Sequence, residues 1–377
     1  MRIPVGALIF ACCTLLAVRP FRRPRRLALL SWITTAAPNE LPLQFIVIVV
    51  ASSLPSVLVG DLTLALALSA LTTVGLVVVA WRAWRARSAV DRALDEALGT
   101  GWRDMCRPHR HLPWARILLL PWPFRPRDVE LIRDIAYGDD GTANLLDLYR
   151  HRSRPSAAPT LIYLHGGGFR SGHKRREGRP LLHRMARTGW TCISANYHLA
   201  ATPAEGFPDH LIDVKRVIAW ARSQGRQYGV DPGTVVVAGS SAGAHLTVMA
   251  ALTGNDPRFQ PGFEAADTRI TAGVGLYGYY GGLGGDENPP TSPHAYLTAD
   301  APPLLLVHGD HDTYMPVEGA RALVEDLRAT SSHPVAYAEL PGAQHSFDLF
   351  HSIRFEIVVD AIESFAVVHR SSSRAAG

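Results

Sequence analysis

Two hydrophobic patterns divide the chain. Before about residue 90, apolar residues come in long uncharged runs at 4–18, 41–59 and 62–81. From Val129 onward the runs shorten and alternate in kind. Strand-like stretches fall at 129–137, 145–150, 160–164, 191–196, 234–238, 271–276, 303–307 and 335–339. Helical periodicity falls at 179–188, 209–228, 244–252, 317–329 and 354–367. Alternation of this kind predicts a mostly parallel eight-stranded sheet flanked by helices, with an antiparallel start from the first two strands.

The first runs have a different meaning. Runs of 19 and 20 residues match the ~20 that a helix needs to cross a bilayer, and the short turn Gly60-Asp61 between them predicts a helical hairpin in lipid. The run at 4–18 falls short of that length, and its arginines follow rather than precede it, which argues against a signal peptide. Domain boundaries follow: a membrane-anchoring region over 1–90, a linker, collar or cap over 91–128, a catalytic domain over 129–370 and a disordered tail over 371–377. Trp102, Trp114, Leu118 to Leu120, Trp122 and Phe124 are interleaved with arginine and proline, as in a segment resting on a membrane surface.

Charge changes this picture only in its location. The net charge of +5 would suit nucleic acid, but residues 1–100 hold ten arginines against five acids, whereas the rest holds 28 basic and 28 acidic residues. Nucleic acid therefore has no support as a partner. Arginines flank the hairpin and are missing from its tip, which places the catalytic domain on the cytoplasmic side of a multi-pass protein. Four cysteines, Cys12, Cys13, Cys106 and Cys192, form neither a metal spacing nor a disulfide framework.

Candidate chemistry sits just beyond strand ends, where ligands of open α/β sheets bind. Gly239-Ser240-Ser241-Ala242-Gly243 has the spacing G-x-S-x-G between a β-branched run and a helix. A turn that sharp lifts a serine hydroxyl clear of the sheet at a helix N-terminus. His165-Gly166-Gly167-Gly168 ends a buried strand, and three glycines that cost folding entropy are explained if their N–H groups face an oxyanion. His165 itself reads as structural, holding that loop by hydrogen bonds. Asp310 and Asp312 offer an acid, and His345, in the loop before the last helix, offers a base. The order serine, acid, histidine is that of the α/β-hydrolases.

Residues 129–370 resemble that fold family, and within it the bacterial hormone-sensitive-lipase-like esterases. The resemblance rests on H-G-G-G-F-x-x-G at His165–Gly172, G-x-S-A-G at Gly239–Gly243, H-G-x-x-D at His308–Asp312 and G-A-x-H-x-F at Gly342–Phe347. It implies a triad of Ser241, Asp312 (rather than Asp310) and His345, with oxyanion donors at Gly167, Gly168 and Ala242, and neither metal nor cofactor. Where many relatives carry D-Y-R-L-A-P, this chain has Asn196-Tyr197-His198-Leu199-Ala200-Ala201. The apolar N-terminus departs from soluble members and is similar to membrane-anchored carboxylesterases, including methylesterases acting on prenylated cysteine. The expected activity is hydrolysis of a small-molecule or lipid ester at a membrane. An acyltransferase or amidase with the same triad remains open at this point, as does a non-catalytic module of the same fold. The glycine- and proline-rich stretch 278–303 is expected to line or cover the pocket. Acyl length, alcohol and oligomeric state are not written in these motifs.

Overall fold

The computed structural model describes residues 5–58, 64–106, 111–284 and 290–375. Four helices open the chain: α1 (Val5–Val18), α2 (Arg25–Glu40), α3 (Pro42–Leu58) and α4 (Leu64–Leu98), followed by the short α5 (Trp102–Met105) and α6 (Trp114–Leu119). The strands are β1 (Val129–Ala136), β2 (Leu145–His151), β3 (Ala158–Leu164), β4 (Thr191–Ala195), β5 (Val230–Ser240), β6 (Ala272–Leu276), β7 (Leu304–Gly309) and β8 (Val335–Leu340). Helices α7 (Arg179–Arg187), α8 (Asp209–Ser223), α9 (Ala242–Leu252), α10 (Glu318–Thr330) and α11 (Ile353–Ala375) alternate with them.

All eight predicted strands form one sheet in the order β1-β2-β4-β3-β5-β6-β7-β8. β2 pairs antiparallel with both β1 and β4, and every later pairing is parallel. The central strands are apolar at nearly every position because both faces are covered. Leu161 and Tyr163 of β3 and Val236 and Ala238 of β5 enter the cluster under α4, α7 and α11. Their alternates, Ile162, Leu164, Val235 and Val237, enter the opposite cluster, under α8 and α9. A period of two thus feeds two cores from one sheet. In register, Leu164 lies beside Gly239 and His308 beside Glu339, so the loops after β3, β5, β7 and β8 leave one edge together.

The N-terminal region differs from the hairpin expected. Among the described residues, only α4 is by itself long and apolar enough to cross a membrane. The run at 41–59 becomes α3, of 17 residues, which meets that test only together with α2, across a bend of 88°. The run at 4–18 yields α1, of 14 residues. The Gly60-Asp61 turn lies outside the described residues. Helix α2 was not foreseen, because its pattern is polar where it packs. Helix α4 passes straight through the expected boundary at residue 90. Its C-terminal half buries Ala83, Ala86, Ala89, Val90, Ala93 and Leu94 in the core on one face of the sheet, against β8 and α11. Alanines spaced by three let the helix backbone approach closely, and Arg87 reaches Asp360 of α11 at 2.8 Å. The described residues of 91–128 therefore begin with the end of a long helix, followed by α5 and α6, and α11 continues to Ala375, into the tail expected to be unstructured. The four cysteines are free.

Candidate active site

Ser241 occupies the turn from β5 into α9 with φ 53° and ψ −114°, a conformation that L-residues rarely adopt. Two features hold it there. Its N–H donates to Leu276 O at 2.9 Å, and α9 passes so close to β3 that a Cβ on Gly243 would lie 2.1 Å from Leu164 O. Glycine at 243 is thus a steric requirement of the elbow. The first-turn amides of α9 carry partial positive charge toward the serine.

The predicted acid and base converge on it. His345 Nε2 lies 3.0 Å from Ser241 Oγ, and Nδ1 lies 2.7 Å from Asp312 Oδ2. With the proton on Nδ1 donated to the carboxylate, Nε2 is left to accept the serine proton. Asp312 Oδ1 accepts the N–H groups of Tyr314 and Met315 at 2.9 and 2.7 Å. Burial pushes the Asp312 carboxyl up, but the charge of His345 and the nearby His308 outweigh it and hold the group at about 2. Asp310 is turned away, and its Oδ1 accepts the Gly342 N–H at 2.6 Å.

The glycine loop faces the same opening. Gly167, Gly168, Ser241 and Ala242 line one cavity of about 660 Å³, within the usual range for small-molecule sites. Gly167 has φ 126°, and a Cβ there would fall 1.8 Å from Ser171 O, so the loop closes only with glycine. His165 stays out of the cavity. Its ring stacks on Tyr197 at 4.4 Å and its Nδ1 lies 2.7 Å from Gly166 O. Burial pushes His165 down to about 4, so it is a neutral donor that pins the loop. Tyr279, Gly282 and Leu283, from the expected covering stretch, line the cavity as well. Residues 285–289 of that stretch lie outside the described residues.

Comparison with known proteins fits this geometry. A family model described as BD-FAE matches residues 146–280. The chain is 36% identical over 402 residues to a Mycobacterium tuberculosis protein named "Probable carboxylic ester hydrolase LipM", covering 96% of this chain and 91% of that one. The chain belongs to this family of carboxylic ester hydrolases. Esterase LipQ of the same organism is 36% identical over 76% of the chain, and esterase LipC is 40% identical over 64%. Among solved structures, esterase 2 of Thermogutta terrifontis aligns over 65% of the chain with a TM-score of 0.55 at 21% identity, a likeness of fold.

Three parts of the esterase's site escaped the sequence reading. Glu177, buried, accepts the Gly166 N–H through Oε2 at 2.6 Å, and so fixes the peptide leading into the two glycines. No motif spacing announces it. Asp348, three residues after His345, is buried between the hydroxyls of Tyr163 and Tyr277, both of which donate to it. Burial, with Glu177 nearby, pushes its carboxyl up to about 7. The third part is α2. Trp32 stacks on Tyr314 at 4.5 Å and donates its indole N–H to His345 O at 3.3 Å. Thr313 Oγ1 donates to Ala28 O at 2.8 Å, and Asn39 Nδ2 donates to Gly342 O at 3.2 Å. A helix from the region read as anchor thus holds both the acid loop and the histidine loop. Among the described residues no His, Cys, Asp and Glu side chains group in a way that could hold a metal ion.

Proposed function

We propose that this esterase is a membrane-anchored serine hydrolase that cleaves carboxylic esters through an acyl-enzyme on Ser241. The observation that carries the reading is the continuous relay from Ser241 Oγ through His345 to Asp312, at the mouth of a cavity lined by Gly167, Gly168 and Ala242. His345 Nε2 takes the hydroxyl proton as Ser241 Oγ bonds to the ester carbonyl carbon. The carbonyl oxygen becomes an oxyanion, held by the amides of Gly167, Gly168 and Ala242, which are fixed before the charge develops. The C–O bond to the alcohol breaks as His345 returns its proton to the departing oxygen. Water then repeats the sequence: it loses a proton to Nε2, attacks the acyl carbon, and Ser241 leaves with that proton while the acid is released. Asp312 stays ionised throughout and stabilises the imidazolium.

Anchoring rests on α4, whose first half presents Leu71, Val74 and Val77 outward, and on α3 packed beside it. The arginines near residues 19–26 and 82–92 favour a cytoplasmic position for the catalytic domain.

The test is hydrolysis of p-nitrophenyl esters from acetyl to palmitoyl by detergent-solubilised wild type and Ser241→Ala. The variant is expected to lose roughly six orders of magnitude in kcat. Equal rates would overturn the assignment of the nucleophile. The chain-length optimum separates an esterase from a lipase.

A further inference from the structure

Helix α2 is amphipathic with its faces reversed. Toward the catalytic domain it buries Ala28, Ser31, Thr35 and Asn39, a stripe of small and polar side chains at helical spacing. Outward it exposes Leu27, Leu29, Leu30 and Ile33, the last at 62%. A helix of a water-soluble surface has the opposite arrangement. The face that carries Ala28, Trp32 and Asn39 makes the contacts with the acid and histidine loops and leaves Leu30 and Ile33 about half or more exposed.

What covers the leucines follows from the neighbours. The first half of α4 and the whole of α3 carry exposed aliphatic residues, among them Val47, Val50 and Leu71. At Trp81 and Trp84, both more than half exposed, α4 changes from this outward apolar surface to the buried alanine stripe, and Arg85 lies over the Trp81 ring. Tryptophan and arginine at such a change mark the level of the membrane–water boundary. α2 joins α3 at Leu41 with a bend of 88°. If α3 and α4 stand along the bilayer normal, α2 lies in the membrane plane at that boundary. The outward leucines then meet acyl chains. Trp114, Leu119, Trp122 and Phe124 continue the same apolar rim, and α6 is tied to the base of α3 by a hydrogen bond from Gln44 to Ile117 O.

The same helix borders the catalytic cavity. Arg25, its first residue, and Tyr314, on which Trp32 stacks, both line the opening that contains Ser241. We infer that α2 is an interfacial helix with one face in the lipid and the other forming a wall of the active-site mouth, so that the esterase draws its substrate from the bilayer. The substrate class is an amphiphilic ester resident in the membrane, its acyl chain entering past the leucine face. This inference rests on the membrane-anchored serine-esterase reading and adds a route and a substrate class to it.

The experiment compares two substrates in the full-length protein reconstituted in phosphatidylcholine vesicles. One is p-nitrophenyl palmitate dissolved in the vesicles; the other is p-nitrophenyl acetate in the surrounding water. The variants are Leu30→Glu and the double Leu29→Glu/Ile33→Glu, whose side chains point away from the site, with Leu30→Phe as an apolar control. Placing a charge on a lipid-facing helix should lower kcat/KM for the vesicle ester by roughly tenfold or more, leave the acetate rate within about twofold, and spare Leu30→Phe. Equal loss on both substrates would mean that α2 is only a clamp on the loops, and would overturn the inference. No loss on either would overturn it as well. A change from dimer to monomer with the vesicle rate preserved would assign the leucines to a second copy of the chain, with the same consequence. Vesicle flotation of each variant tests anchoring separately, since α4 is untouched, and Ser241→Ala tests the nucleophile separately.

Discussion

At the scale of single residues, the site depends on groups that never touch substrate. The oxyanion donors proposed above are backbone amides, so their accuracy is that of the loop carrying them, and Glu177 sets one end of that loop. Replacing Glu177 with Ala leaves the Gly166 N–H without its buried acceptor and lets the Gly167 and Gly168 amides drift from the developing charge. The expected result is a fall in kcat of roughly ten- to a hundredfold, with KM changed far less, because the donors act mainly on the transition state. Glu177→Gln, which keeps an acceptor oxygen, should recover much of the loss. A matching rise in KM, or no recovery by Gln, would point to simple disruption of the pocket. Steady-state kinetics on one soluble ester separates these results.

Residue chemistry also decides what could be read from the chain. Ser241, His345 and the glycine loop were legible because each follows a strand that periodicity finds, and each belongs to a spacing with a chemical purpose. Asp312 was harder. Spacing alone left Asp310 equal to it, and the difference is geometric: Asp310 caps Gly342, whereas Asp312 reaches His345. Glu177 and Asp348 were invisible because a buried carboxyl that serves a backbone amide, or two tyrosine hydroxyls, leaves no pattern in a sequence.

At the scale of elements, the strands and the apolar runs of α1, α3 and α4 were found, while α2 and the buried half of α4 were missed. Strand reading asks which residues are apolar, and in β3 and β5 the buried residues are the apolar ones. In α2 most of the buried residues are polar, Ser31, Thr35, Asn39 and Glu40 among them, so hydrophobic periodicity looks in the wrong direction. In α4 a single helix serves two environments, and the boundary drawn at residue 90 cut through its buried half. That half gives a test of the two-environment reading. Ala86, fully buried, lies between Ala83 and Ala89 against the hydrolase core, with no room for a longer side chain. Ala86→Leu should destabilise the protein by about 1–3 kcal/mol through overpacking. Val77→Leu, on the outward half, should stay within about 0.5 kcal/mol. Thermal unfolding in detergent measures both. Equal shifts would mean that α4 is packed alike along its length.

At the scale of the whole molecule, buried titrating groups decide how the fold answers to pH. Burial pushes His183 and His210 down to about 3, and His165, His245 and His369 down to about 4. Each stays neutral in the fold, while the unfolded chain takes up protons below about 6.5. Over that window the unfolded state binds more protons, so stability rises with pH from about 4 to 6.5. Asp348 works against them. Raised to about 7, it keeps its proton in the fold over a range where the unfolded carboxyl has lost it, so its share of stability falls as pH rises from about 4 to 7. Asp312, held at about 2, loses its stabilising share only as pH falls below about 4, outside most of this window. Asp213 and Asp360, also pushed up by burial, act in the same direction as Asp348, but the five histidines outweigh these carboxyls, so the urea midpoint of the wild type should be lower at pH 5 than at pH 6.5. Asp348→Asn removes the opposing group that is raised to about 7 and should widen that gap, whatever it does to stability at a single pH. A wild type more stable at pH 5 would mean that the buried histidines find partners when protonated. An unchanged gap in the variant would mean that Asp348 is ionised between its two tyrosines.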